Sequence, residues 1–132
     1  MQKALKLYLT TCCKEKSNTL LPCPAIERYL DPRIKTVHAR SQADSVAFGI
    51  LSGKYGLLHP NDLIDWYDKK LELPDLPDLL PLLVQQLKNQ QVSTIYFFAK
   101  SPDVFPEWKP YCLIVEQAAE ILEIELIWRE VM

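Results

Sequence analysis

The chain has 132 residues, of which 48% are hydrophobic and 24% charged, and these values are typical of one globular domain with a buried core. Its net charge of −2 argues against binding of long duplex nucleic acid by charge alone, although basic residues are concentrated in the N-terminal half. No apolar run reaches the ~18 residues of a membrane helix, and no signal-peptide pattern opens the sequence. We therefore expect one cytoplasmic domain over residues 1–132 with no membrane partner.

Residues 4–11 form an apolar, partly alternating run that predicts a first strand. The polar cluster from Cys12 to Asn18 ends this strand. After the following loop, Pro24 is suited to open a short helix through Tyr29, because proline is tolerated at the first helical position.

Asp31 is a candidate N-cap for a second helix that runs to about residue 43. Residues 33–39 could also be read as a strand, so the pattern leaves both interpretations open. Residues 46–51 then form a continuous apolar run, which predicts a second strand buried on both faces of a parallel sheet.

The segment from Asn61 to Leu76 is acidic and is predicted to be irregular, with at most a turn at residues 66–71. Asp78 is a candidate cap for an amphipathic helix over Leu79–Gln90, with Pro81 in its first turn. The side chains expected to face inward are Leu79, Leu80, Leu83, Val84 and Leu87.

The last third of the chain predicts a third strand over residues 93–99, a loop over 102–108 and a helix from Pro110 to Leu122. Residues 123–131 alternate between polar and apolar side chains, which predicts a fourth strand. Strands thus alternate with helices, and this order favours an α/β fold. We expect a single three-layer domain with a mainly parallel sheet of about four strands, right-handed crossovers and helices on both faces.

The loops after the first three strands are where a ligand is expected, because open parallel sheets bind ligands beyond the carboxyl ends of their strands. These loops carry lysines, small hydroxyls and thiols, a composition suited to an anionic or phosphorylated ligand. The residues concerned are Thr11, Cys12, Cys13, Lys14 and Lys16 after the first strand, Ser52, Gly53, Lys54, Tyr55 and Gly56 after the second, and Lys100, Ser101 and Asp103 after the third.

The stretch GILSGKYGLLHP, residues 49–60, holds all three glycines of the chain but is not a phosphate-binding loop. Its spacing matches neither the Walker pattern nor Gly-x-Gly-x-x-Gly. Gly53 and Gly56 instead indicate a turn that leaves the side chains of Ser52, Lys54 and Tyr55 free to project. A plain strand exit with a solvated lysine and a packed tyrosine explains the pattern equally well.

The four cysteines, Cys12, Cys13, Cys23 and Cys112, are expected to be reduced, because a domain of this size needs no disulfide to fold. Cys12 or Cys13 is a candidate nucleophile activated by nearby lysines, although cysteines at strand ends are commonly only buried. We expect no metal site, since no Cys-x2-Cys or closely spaced histidine pair is present. Nothing in the sequence identifies a cofactor or an oligomeric state.

Four short motifs resemble an uncharacterised bacterial and phage family of small α/β domains that carries CSxxK, PAxxLY, ILSAKYGLL and PYD. The corresponding segments are residues 12–16, 24–29, 50–58 and 66–68, and the third is the most specific. This motif style is distantly similar to the peroxide-stress protein YaaA and to the uracil-DNA-glycosylase-like domain of archaeosine synthase. The resemblance implies a nucleotide, nucleobase or nucleic-acid ligand.

The sequence therefore leaves two hypotheses about function. In the first, the domain is a pocket for a small anionic or nucleotide ligand, with nucleic acid as a further candidate partner; whether it also acts on the ligand is left open. The candidate catalytic residues are Cys12, Ser52, Tyr55 and Asp68, and the candidate ligand-binding residues are Cys13, Lys16, Gly53, Lys54, Gly56 and Tyr67. In the second, a non-catalytic adaptor docks a protein partner through the acidic Asn61–Asp78 loop and its leucines, Leu71, Leu73 and Leu76.

Overall fold

The computed structural model describes residues 5–131, which form an α/β domain. Its strands are β1 Leu5–Thr11, β2 Cys23–Pro24, β3 Ala47–Ser52, β4 Gly56–Leu58, β5 Leu63–Ile64, β6 Val92–Ala99 and β7 Glu125–Glu130. Its α-helices are α1 Ala25–Arg28, α2 Pro32–Asp44, α3 Leu76–Asn89 and α4 Lys109–Leu122, and short 3-10 turns at Leu73–Asp75 and Pro106–Trp108 lead into α3 and α4. Within residues 5–131, no helix is long and apolar enough to span a membrane.

The main sheet has five strands in the order β4-β3-β1-β6-β7. Strands β3, β1, β6 and β7 are parallel, and β4 pairs antiparallel with β3 at one edge. The predicted mainly parallel sheet is confirmed, and the four parallel strands are the four that were predicted. The expected count omitted β4, because its three residues follow the glycine turn directly and are too few to show a strand period.

A second, two-stranded sheet joins distant parts of the chain. Cys23 pairs with Ile64, and Pro24 with Leu63, in an antiparallel arrangement of β2 and β5. The prediction that residues 61–76 are irregular is therefore wrong at Leu63–Ile64. Two-residue strands pair through long-range contacts that local periodicity does not reveal.

Helix α2 confirms the helical interpretation of residues 33–39 over the strand alternative. The side chain of Asp31 accepts a hydrogen bond from the backbone N–H of Arg33, as an N-cap should, and Pro32 occupies the first helical position. The helix ends at Asp44, and the left-handed conformation of the next residue, Ser45 (φ 56°), turns the chain toward β3.

Helix α3 begins earlier than predicted, so Asp78 is not its cap. The turn at Leu73–Asp75 comes first, where the side chains and backbone of Glu72 and Asp75 form a reciprocal capping box. Asp78 consequently lies in the first turn of α3, and Pro81 in the second. The buried side chains of α3 are Leu76, Leu79, Leu83 and Leu87, while Leu80 and Val84 are half-buried.

The remaining boundaries differ from the predictions by one or two residues. Strand β3 extends to Ser52, β6 starts at Val92, and β7 spans only part of the predicted residues 123–131. Ala4, which was predicted to open the first strand, lies outside the described residues.

The core lies between the sheet and its helices. Helix α2 contacts β1 and β3, whereas α3 and α4 pack against each other and contact β4, β6 and β7. From β1 the chain passes to β3 on one side and later to β6 on the other. The carboxyl ends of β1 and β6 are therefore neighbours at the point where the strand order reverses, which is where open α/β sheets form ligand crevices.

Candidate functional site

A cleft of about 610 Å³ opens at this reversal point. Its walls come from the loop after β1, the start of α2, the loop before α3, the end of β6 and the start of α4. The lining residues are Thr11, Cys12, Cys13, Lys14, Glu15, Lys16, Asp31, Arg33, Asp68, Lys69, Lys70, Lys100, Glu107, Trp108 and Tyr111. The volume falls within the range of small-molecule sites.

Cations outnumber anions around this cleft. Five lysines and one arginine line it, against four carboxylates. Arg33 pairs with Asp31 at 3.3 Å and Lys69 pairs with Asp75, outside the cleft, at 3.1 Å, so four lysines and three carboxylates of the lining form no salt bridge among residues 5–131. The protein as a whole carries a net charge of −2. A local excess of positive charge on an acidic protein indicates a site for an anion.

Arg33, in the first turn of α2, forms hydrogen bonds with the carboxyl end of β1. Its two terminal nitrogens donate four hydrogen bonds of 2.9–3.2 Å, to the hydroxyls of Thr10 and Thr11 and to the carbonyls of Thr11 and Cys12. Burial lowers the pKa of Arg33, and the neighbouring carboxylate of Asp31 opposes that shift. Since its terminal donors are engaged with the backbone and hydroxyls, Arg33 shapes the cleft wall.

Trp108 completes that wall. Its ring lies under the guanidinium of Arg33, with 4.7 Å between the central carbon and the ring centroid. Such a stack fixes both groups, because the planar cation is attracted to the face of the indole. The indole is buried, so it packs the wall and offers little free surface to a ligand.

Cys12 and Tyr111 form the floor of the cleft, and each is only 8% exposed. The Cys12 Sγ lies 3.7 Å from the Tyr111 hydroxyl, and that hydroxyl oxygen accepts a hydrogen bond of 3.1 Å from the backbone N–H of Leu71. The neighbouring thiol of Cys13 donates to the carbonyl of Glu15 at 3.1 Å. Burial raises the pKa of Cys13, which argues against Cys13 as an activated thiolate.

A chain of buried hydroxyls lies behind the glycine turn. Ser52 Oγ accepts hydrogen bonds from the backbone N–H groups of Lys54 (3.1 Å) and Tyr55 (3.0 Å). It also lies 2.7 Å from the hydroxyl of Tyr67, which in turn contacts the hydroxyl of Tyr29. Ser52 thus holds the turn and is fully buried.

Alkaline pH is expected to destabilise the fold through Tyr29, Tyr67 and Tyr111. Burial raises the pKa of all three phenols above the ordinary value of about 10. The folded state therefore holds these protons more tightly than the unfolded state does. The three phenols do not lower the free energy of unfolding below pH ~10, and the free energy of unfolding falls as pH rises further. Urea unfolding between pH 7 and 12 should show this fall.

Two matched variants test whether the buried tyrosines cause the loss of stability at alkaline pH. Tyr67→Phe should make the dependence on pH above 10 less steep, because one linked proton is removed. Tyr96→Phe, in a half-buried tyrosine outside these hydrogen bonds, should leave the steepness unchanged. Equal slopes in wild type and Tyr67→Phe would contradict the assignment.

A second cavity of about 540 Å³ lies beside the cleft, and Asp68 and Lys69 line both. Its other lining residues are Gly53, Lys54, Tyr67, Asp75, Asp78, Leu79 and Leu82. The Lys54 Nζ lies 5.1 Å from the ring centroid of Tyr55 and 5.8 Å from that of Tyr67. The two cavities thus share a wall made by the loop before α3.

The predicted site residues fall into three groups. Those that line the cleft are Cys12, Cys13, Lys16 and Asp68. Those that line the second cavity are Gly53, Lys54 and Tyr67, again with Asp68. The third group lines neither cavity and belongs to the glycine turn behind the wall: Ser52, Tyr55 and Gly56.

Both glycines of the turn have structural reasons to be glycine. A Cβ at Gly53 would lie 3.0 Å from the backbone N of Leu71 and from the carbonyl oxygen of Lys69, so the absence of a side chain lets the wall loop pack closely. Gly56 adopts φ +72°, which L side chains rarely adopt. The turn was correctly predicted, and its close contact with residues 69–71 was not.

Sequence reasoning missed Arg33, Trp108 and Tyr111. All three lie at the starts of helices, whereas most of the predicted site residues follow strands. One available signal was the position of Arg33 two residues after the predicted cap Asp31, because the start of a helix that follows a strand exit lies at the same edge of the sheet.

The leucines of the acidic loop are mostly not available to a partner. Leu71 and Leu76 are buried in the core, and only Leu73 is exposed. In the same segment, Leu63 (69%) and Trp66 (54%) are also exposed. The large apolar side chains that this segment exposes are therefore Leu63, Trp66 and Leu73.

Within residues 5–131, no three His, Cys, Asp or Glu side chains come together as a metal site would require. All four cysteines are free thiols.

A family model described as a family of unknown function (DUF6884) matches residues 7–100. No curated protein and no solved structure matches the chain.

Proposed function

This chain belongs to DUF6884, a family of unknown function, and from that premise we propose that it binds a nucleotide or another phosphorylated ligand in the cleft at the carboxyl edge of its sheet. The observation that carries the proposal is the convergence of five lysines and Arg33 on a cleft of about 610 Å³ at the point where the strand order reverses.

The position of the cleft in the fold supports the proposal, in addition to its charge. We infer that α2 covers one face of the sheet and that α3 and α4 cover the other, because right-handed crossovers from β1 to β3 and from β3 to β6 run in opposite directions. In such a three-layer domain the reversal point lies open between the layers. Lys16 from the β1 loop and Lys100 from the β6 end then face a ligand from two sides.

The second cavity suits the base of a nucleotide. Leu82 is exposed and offers apolar surface, with the buried Tyr67 and Leu79 beneath it. The carboxylates of Asp68, Asp75 and Asp78 can accept hydrogen bonds from amino groups of a base. Since Asp68 and Lys69 border both cavities, one ligand can place its phosphate in the cleft and its base beside Tyr67. The motif resemblance to nucleobase-related proteins favours the same ligand class.

Calorimetric titration with AMP, adenosine and inorganic phosphate tests the proposal. AMP should bind more tightly than either fragment, because only AMP occupies both cavities. Its affinity should fall as salt is raised from 50 to ~300 mM, since exposed charge pairs are screened. Absence of binding by AMP and phosphate at low salt would refute the proposal.

Lys54→Ala should weaken AMP binding by about ten-fold, as expected for the loss of one charge-assisted contact. Lys54 is exposed and lines the second cavity, so this variant reports on a ligand that reaches beyond the cleft. Binding of inorganic phosphate should not change. An unchanged AMP affinity in a folded variant would place the whole ligand in the cleft.

The adaptor hypothesis remains a second proposal, in a changed form. Leu63 and Trp66 provide the exposed apolar surface that the buried leucines do not. Trp66→Ser should then weaken capture of a protein partner without changing AMP binding. AMP binding by the wild type together with monomeric, partner-free behaviour would count against this reading.

A further inference from the structure

The floor of the cleft holds more hydrogen-bond donors than acceptors. Cys12 and Tyr111 each carry one proton that can be donated, and one hydrogen bond joins them. The Tyr111 oxygen already accepts from the backbone N–H of Leu71. Among residues 5–131, no other acceptor contacts the Cys12 thiol or the Tyr111 hydroxyl, so one proton of this pair has no protein acceptor.

The neighbouring hydroxyl chain has the same imbalance. The two lone pairs of Ser52 Oγ accept from the N–H groups of Lys54 and Tyr55, so Ser52 donates its proton to Tyr67. Tyr67 and Tyr29 then share one hydrogen bond between two protons. Within the described part of the chain, one phenol proton is again left without an acceptor.

Both groups lie near one cation, Lys16. The Lys16 Nζ lies 5.9 Å from the ring centroid of Tyr29. The Lys16 Nζ lies 4.8 Å from the ring centroid of Tyr67 and also lines the cleft. Surplus donors beside a lysine form an environment that an oxyanion satisfies.

We propose that Tyr111 and Cys12, together with Lys16, form the recognition site for a terminal phosphate group, whose oxygens supply the missing acceptors. This inference rests on the proposed function and deepens it, because it names the part of the ligand that the floor recognises. A phosphate monoester presents three acceptor oxygens at the end of a molecule.

Burial of the floor selects a terminal group. Cys12 and Tyr111 are each 8% exposed, so little of either surface is accessible from the cleft. A phosphate at the end of a ligand can enter such a floor, whereas a phosphodiester carries a substituent on both sides. Single-stranded nucleic acid without a terminal phosphate should therefore bind weakly.

Calorimetry with four probes tests the inference: AMP, inorganic phosphate, adenosine and the dinucleotide ApA, which has a phosphodiester and no terminal phosphate. In the double variant Cys12→Ala/Tyr111→Phe, affinity for AMP and phosphate should fall by about ten-fold, the loss expected for hydrogen bonds to a charged group. Cys12→Ala alone should change it by less than about two-fold, because the Tyr111 proton remains available. Tyr96→Phe serves as the matched control.

A purely structural role of Tyr111 predicts a different pattern. Loss of the acceptor for Leu71 would disturb the wall loop and weaken adenosine and AMP alike, whereas recognition of phosphate weakens AMP and phosphate only. The salt dependence of AMP binding should also be unchanged in the double variant, because the lysines remain.

Protection from alkylation tests the inference without a variant. Phosphate and AMP should slow labelling of Cys12 by iodoacetamide, read by peptide mass spectrometry, and leave Cys23 in β2 unprotected. Equal labelling of Cys12 with and without AMP, or an AMP affinity that survives the double substitution, overturns this inference and leaves the proposed function standing. ApA binding as tight as AMP binding also overturns it. If neither AMP nor phosphate binds wild-type protein, the proposed function fails first.

Discussion

Arg28→Met is expected to destabilise the fold by about 3–5 kcal/mol, since a residue that satisfies several buried polar groups would be removed. Arg28 is fully buried. Its terminal nitrogens donate four hydrogen bonds of 2.7–3.0 Å to backbone carbonyls, those of Ser17, Thr19, Leu21 and Ile64. Methionine fills similar space but leaves all four carbonyls without this donor.

The position of these carbonyls explains the size of the effect. Three belong to the loop between β1 and β2, and the fourth belongs to β5. Arg28 therefore joins the irregular loop to the small sheet. Among the described residues, no carboxylate pairs with Arg28, so the backbone dipoles alone compensate its charge.

Urea unfolding at pH 7 measures this prediction. Arg40→Met is the matched control, because Arg40 lies on the surface of α2 in an ion pair whose two side chains are both largely exposed. The control should change the free energy of unfolding by less than about 1 kcal/mol, as surface pairs do. Equal effects of the two substitutions would show that the carbonyl contacts of Arg28 contribute little.

The double variant Lys16→Ala/Lys100→Ala is expected to weaken AMP binding by about 100-fold, the combined loss of two contacts to a charged phosphate. Lys16 lies on the β1 loop and Lys100 directly follows β6, so the two ammonium groups approach the cleft from its two strands. Among residues 5–131, neither lysine forms a salt bridge that its loss would break.

A control with the same change in net charge separates contact from general attraction. Lys6 and Lys88 are exposed, at the start of β1 and the last turn of α3, and neither lines the cleft. Lys6→Ala/Lys88→Ala should reduce affinity by less than about three-fold, because charges beyond a Debye length are screened. Equal losses in both double variants would indicate attraction by net charge without a specific site.

Much of the fold could be predicted because the signals are local. The apolar runs at β1, β3 and β6 and the cap at Asp31 act over a few residues, and each element was found within one or two residues. Strands β2 and β5 contain two residues each and could not be found, because such short segments are defined only by their partners.

The candidate site was predicted less completely. Lys16, Cys12 and Asp68 follow or face the strand exits and do line the cleft, but Ser52 and Tyr55 lie behind its wall. Tyr111 reaches Cys12 across 99 positions of sequence and Arg33 reaches Thr11 across 22, so no spacing pattern could associate them.

The sequence by itself determined the alternation of strands and helices, the turn at Gly53–Gly56 and the edge of the sheet where polar residues collect. These features depend on hydrophobic period, capping and backbone freedom, which are properties of neighbouring residues. Only the tertiary structure decided that β1 and β6 lie side by side, that the loop before α3 divides two cavities, and that Cys12, Tyr111 and Lys16 line one cleft. Strand order and contacts between distant residues depend on burial of the whole core, so a local sequence pattern does not predict them.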